Sequence, residues 1–132
     1  MSLLVDEFAA WLQSQGEGTV GTTIFKLMRP SAPVACISLH GTGGYPPERY
    51  GVREHPTLQV VCRAGSPASA LSKAYSVFNQ LPKRGGLHLG DLDAFTVEAT
   101  GSPAYIGEEQ AAAQTCHLAS FNLVFDLRRP SS

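Results

Sequence analysis

The chain has 132 residues, of which 43% are hydrophobic and 16% charged, with a formal net charge of −1 and four histidines. Basic residues are scattered singly apart from Lys83-Arg84 and Arg128-Arg129, which argues against the clustered phosphate-binding surface that duplex DNA recognition needs. The length predicts one domain over 1–132, with 129–132 as a flexible tail, large enough to remove roughly two thirds of its unfolded surface from water.

Three cysteines, at 36, 62 and 116, cannot all pair within one chain. Two of them fall in apolar strand-like runs, where a free thiol behaves as a small hydrophobe, and a reducing compartment is expected. Residues 1–15 place Asp6 and Glu7 inside an amphipathic pattern instead of a basic head followed by an apolar run, so no secretory signal is expected. No run approaches the ~20 apolar residues that span a bilayer, so no membrane partner is expected.

In chain order, Ser2 is placed to cap a first helix in which Leu4, Phe8, Trp11 and Leu12 share a face, and Gly16 and Gly18 end it. Thr22 to Phe25 read as a strand, Pro30 to Pro33 as a turn, and Ala35, Ile37 and Leu39 alternate with Cys36, Ser38 and His40 in a second strand. These two are expected to form a hairpin. Residues 41–56, with Gly41, Gly43 and Gly44 followed by Pro46 and Pro47, show no periodicity and read as a long loop.

The stretch 57–81 is the clearest unit. Leu58, Val60 and Cys62 alternate with Gln59, Val61 and Arg63, the period of two of a strand with one core face. Ser66-Pro67 then starts a helix, since the hydroxyl can accept from an orphan N–H and proline at the first helical position has no N–H to orphan. Leu71, Ala74, Tyr75, Phe78 and Leu81 recur at helical spacing and predict the buried stripe, and Pro82 stops the helix. After the turn at 83–86, Leu87 to Leu89 form a short segment and Phe95 to Ala99 a strand. Residues 101–114 read as a second long polar connection. Leu118, Phe121, Leu123, Phe125 and Leu127 then supply the apolar row of a final strand.

Strands cluster around helices without strict alternation, which predicts an α+β two-layer domain: a mainly antiparallel or mixed sheet with two helices on one face.

The chemical constellations each lack a partner. His40-Gly41-Thr42-Gly43-Gly44 has glycines of the sort that form phosphate cradles, but Tyr45-Pro46-Pro47 follows where a helix would have to open, so a turn is expected. Cys36 and His40 share a strand side, yet four strand steps put their Cα atoms about 13 Å apart, too far for one tetrahedral ion. Glu108-Glu109 and Asp91 with Asp93 lie in loop-like sequence without a neighbouring base, and solvated loop charges are the expectation. No catalytic, metal-ligating or cofactor-binding residue is assigned. Tyr45, Arg49, Tyr50 and Arg53 are residue types enriched at interfaces and serve equally well as loop anchors. Glu108 and Glu109 are candidates for meeting a basic partner, and Tyr105 lies in the same connection.

The opening LLVDEFAAWLQSQG, the GTGGYPP turn, PTLQV running into RAGS, and the helix carrying Lys73, Ala74 and Tyr75 together resemble the tail terminator proteins of long-tailed bacteriophages, often labelled minor capsid proteins. The resemblance covers nearly the whole chain and rests on the order of elements. It implies a structural, non-enzymatic virion protein, assembled in the host cytoplasm. Such proteins form a ring, commonly hexameric, at the head-proximal end of the tail tube, stop its polymerisation and join it to the head connector, with DNA passing through unbound. It also implies self-association and contact with the tail tube protein, with Tyr45, Arg49, Tyr50, Arg53, Tyr105, Glu108 and Glu109 as expected interface residues. Another head–tail connector or tail-completion protein is the neighbouring reading, and a small enzyme using the His40 to Gly44 segment is the reading from a different class.

Overall fold

The computed structural model describes residues 4–45, 53–82, 86–89, 92–111 and 113–128, with side chains for the same residues except 42–45, 53, 54, 92–95 and 128. Among the described residues two helices, α1 (Leu4–Ser14) and α2 (Pro67–Gln80), accompany seven strands: β1 (Ile24–Lys26), β2 (Cys36–Tyr45), β3 (Arg53–Ala64), β4 (Leu87–Leu89), β5 (Leu92–Ala99), β6 (Ala104–Ala111) and β7 (Gln114–Arg128). They form one mixed sheet in the order β1-β2-β3-β7-β5-β4, with β6 also paired to β7. The α+β expectation with helices on a mixed sheet is met.

β7 organises the sheet. Residues 117–128 pair with β3 on one edge, while on the other edge 114–120 pair with β6 and 123–128 with β5. β6 is therefore an arm that meets the sheet through a single ladder.

The pleat sorts the side chains cleanly. Ile37, Cys62 and Ala119 are cross-strand neighbours, as are Leu39, Val60 and Phe121. All face the helices and join Phe8, Leu12, Ala70, Ala74 and Val77 in the buried core. Each large apolar side chain so buried contributes about 1.5–3 kcal/mol relative to exposure. Phe8 sets its ring edge-on to Phe125 with centroids 5.7 Å apart. α2 begins as its sequence dictates, with Ser66 Oγ accepting from the Ser69 N–H at 3.1 Å and Pro67 opening the first turn. α1 ends where Gly16 takes a φ of 81°, a left-handed geometry that glycine adopts without a steric penalty. Ser2, the expected cap of α1, lies outside the described residues.

Four expectations are corrected. β1 and β2 run parallel, not as a hairpin: Ile24 pairs with Ile37 and Lys26 with Leu39. The chain must therefore return over a sheet face between them, and residues 27–35 do so. The 41–56 loop is in large part ladder, since β2 continues to Tyr45 and β3 begins at Arg53; 46–52 lie outside the described residues. The 101–114 connection contains β6, whose polar exposed residues hid a real strand. Finally, the buried stripe of α2 is Ala70, Ala74 and Val77, while Leu71 and Phe78 pack at its margin and Tyr75 is 40% exposed. Small side chains let the helix approach the sheet closely, so the larger residues are displaced to the flank.

The second sheet face is also covered at one end. Cys36, Arg63 and Leu118 are register neighbours on that face and all are buried. Burial pushes the Cys36 thiol up and that of Cys62, on the helix side, up to about 12, which keeps both as inert apolar fillers at neutral pH.

Candidate functional site

Two polar clusters hold this framework together. The first ties α1 to α2. Glu17, just past α1 and 7% exposed, accepts from Lys73 Nζ at 2.9 Å and from Ser76 Oγ at 2.8 Å, with Gln80 Nε2 at 3.2 Å. Burial alone raises its carboxyl pKa, but these hydrogen bonds and the Lys73 charge outweigh it, so Glu17 titrates below the usual range.

The second cluster lies on the other sheet face and fixes the β6 arm. Arg63, 2% exposed, donates from Nε to Val34 O at 3.0 Å and from Nη2 to Pro30 O at 2.5 Å and Pro33 O at 2.9 Å. Its Nη1 reaches Glu109 Oε2 at 2.8 Å. One guanidinium thus pins the 27–35 crossover, through three carbonyls, to the strand that carries it, and also holds β6. Arg29 closes the cluster from the crossover, placing Nη2 3.1 Å from Glu109 Oε1 and Nη1 3.3 Å from His40 Nε2 and 3.4 Å from Ser38 Oγ. Donation from Arg29 requires an unprotonated His40 Nε2, consistent with burial and the Arg29 charge holding the His40 pKa below its usual value. Glu109 is likewise held low, first by the Arg29 hydrogen bonds, which outweigh the opposing effect of burial, and further by the Arg63 hydrogen bond and the two arginine charges.

These shifts share a direction. The two carboxylates contribute stability that is complete above the unfolded value of about pH 4.3 and is lost as pH falls through their lower folded values. Unfolded chains take up the His40 proton first, so stability already declines below about pH 6.5. The urea midpoint is therefore expected to fall below about pH 6.5 and to fall further below about pH 4.3, and Glu109→Gln is expected to flatten only the part below about pH 4.3; a midpoint constant from neutral pH down to about pH 3 would refute the assignment.

The expected interface residues separate on the structure. Tyr105 and Glu108 are exposed on β6. The Tyr105 hydroxyl lies 2.9 Å from His117 Nδ1, with the two rings at 5.9 Å. Glu109 is the correction: it is no solvated loop charge but the carboxylate between two arginines. Tyr45 and Arg53 lie on β2 and β3 with their side chains outside the described residues, as are Arg49 and Tyr50 entirely. Asp91 is likewise outside, and of Asp93 only the backbone, on β5, is described. His40 is engaged by Arg29 and Ser38, and Gly41 continues β2 where a turn was expected. Among the described residues no group of three or more His, Cys, Asp or Glu converges on one point, and no helix is long and apolar enough to cross a membrane.

Sequence reasoning missed Arg29, Ser38 and Arg63, and the exposed apolar residues Leu27, Met28 and Ile106. A signal existed for Arg63. A lone arginine within Val60-Val61-Cys62-Arg63-Ala64 has apolar neighbours on both strand faces, which marks a charge that must find its partners inside.

A helix-backed mixed sheet whose best-formed polar clusters serve to lock its own segments, while apolar side chains stand exposed on β6 and beside β1, has the layout of an assembly component. A family model described as bacteriophage tail terminator protein matches residues 11–128, and the chain belongs to that family. No curated protein matches the chain. Its role is structural, as a component of the phage virion tail that associates with other tail and head parts.

Proposed function

We propose that copies of this chain close into a ring, commonly hexameric in proteins of this kind, at the head-proximal end of the tail tube, where the ring ends tube polymerisation and offers a surface to the head connector. The family match over 11–128 carries the proposal. The layout supports it: a ring uses one patch against a different patch of the neighbour, and a rigid sheet with a projecting strand supplies distinct edges. A net charge of −1 suits a ring that lets DNA pass without gripping it. Tyr105 and Glu108 on β6, with Tyr45, Arg49, Tyr50 and Arg53, are the proposed contacts to neighbouring subunits or the tube protein. Glu109 contributes by holding β6 in place.

Electron microscopy of particles made without this protein tests the reading. Overlong tubes lacking heads are the expected result. Normal-length tails attached to heads would overturn it, and normal-length tails without heads would favour a connector or tail-completion role.

A further inference from the structure

We propose that Leu27 and Met28 of one copy seat against Tyr105 and Ile106 of the next, so that the β1 margin and the β6 arm form the two halves of the subunit contact; this rests on the ring reading above. Four of the five large hydrophobic side chains left exposed among the described residues fall into these two pairs, with Leu27 64%, Met28 60%, Ile106 51% and Tyr105 43% exposed.

Their placement suits a head-to-tail contact. Leu27 continues β1, the outermost strand at one end of the sheet, through a hydrogen bond from its N–H to Leu39 O at 2.7 Å. β6 lies across β2, β3 and β7 from β1 in the sheet order, and it curls toward the crossover, where Glu109 meets Arg29 at 3.1 Å. The two pairs belong to different elements of one subunit, and seating one copy's β6 pair on the next copy's β1 pair is a heterologous contact, the kind that closes rings.

Shape and charge agree. The ladder between β6 and β7 shifts register between Tyr105 and Gly107, so Ile106 is the extra, unpaired residue of a bulge. Gly107 supports that bulge with a φ of 136°. The hydrogen bond and ring contact with His117 hold Tyr105 ready, which lowers the ordering cost of docking. On the receiving side Leu27 borders a groove of about 260 Å³ with Leu4, Val5, Pro56 and Leu58. The receiving patch is preceded by the exposed cation Lys26, since Arg29 on its other side is engaged by Glu109, and the arriving patch is followed by the exposed carboxylate of Glu108. Lys26 meets Asp6 at 2.9 Å with both side chains well exposed, a surface pair worth little that leaves the ammonium free to take a second carboxylate.

The test uses assembled tails carrying Met28→Cys and Ile106→Cys chains mixed in one particle. All three native thiols are buried and form a silent background, and both new ones are at exposed positions. A short thiol-to-thiol cross-linker is expected to give the 28-to-106 product between copies, and tails built of the double variant are expected to give a ladder ending in a closed ring. Products joining 28 to 28 or 106 to 106, or no product on tails whose rings are visible by electron microscopy, would overturn the pairing and leave the ring reading standing. Tails without any ring at that position would overturn both. As a second arm, Ile106→Lys is expected to abolish ring formation and Met28→Glu to restore it; failure of that rescue where both single variants fold would count against the pairing.

Discussion

Replacing Arg63 with alanine is expected to lower stability by about 3–5 kcal/mol, the usual cost of removing one partner from a buried charged network. The loss is large because alanine takes the Arg63 donor from the carbonyls of Pro30, Pro33 and Val34 at once and leaves Glu109 Oε2 with only the longer bond from Arg29 Nε at 3.3 Å. Folded domains are stable by roughly 5–15 kcal/mol in total, so the variant would keep little margin. Arg63→Lys should recover only a small part, since an ammonium is a point donor and cannot span the acceptors that the planar guanidinium reaches. The urea midpoint is the measurement. A drop corresponding to less than about 1 kcal/mol would mean that the crossover is held by something other than Arg63. Double substitution with Glu109→Ala should cost less than the sum of the two single changes, because the residues share a contact.

Phe8→Ala should be comparably severe, about 3–5 kcal/mol, through the cavity it leaves. Phe8 is fully buried, edge-on to Phe125 and 5.3 Å from the Trp11 ring. It is the main anchor of α1, which packs on β1, β2 and β4. Loosening α1 also disturbs the groove beside Leu27, to which Leu4 and Val5 contribute, so tail joining should weaken at temperatures where the variant is still folded. Thermal unfolding together with counts of headed particles checks both effects. A stability loss under about 1.5 kcal/mol would show that α1 is not docked through Phe8.

Much of the framework was legible in the residues. The alternation from Leu58 to Arg63, the Ser66-Pro67 start of α2 and the Leu118 to Leu127 row of β7 each carry a local signal that their backbone geometry obeys. The helical stripe of α2 was legible in period but not in phase. Choosing between Ala70, Ala74, Val77 and the larger Leu71, Tyr75, Phe78 depends on how closely the helix can approach the sheet, which a periodicity does not contain. β6 was missed because its residues, Tyr105 to Gln110, are exposed or half-exposed and lack the apolar alternation of a half-buried strand; partnership with β7 makes it a strand.

By itself the sequence determined the α+β class, the two helices, most of the strands and, through its resemblance in order, the tail terminator family. Those features rest on short-range chemistry: turn residues, capping and the two side-chain periods. Only the tertiary structure decided that β1 runs parallel to β2, that the return between them covers the second sheet face, and that Arg63 and Glu109, 46 residues apart, lock crossover and arm together. A charge is oriented by whichever partners the fold brings to it, and in this chain those partners come from segments that no local pattern links.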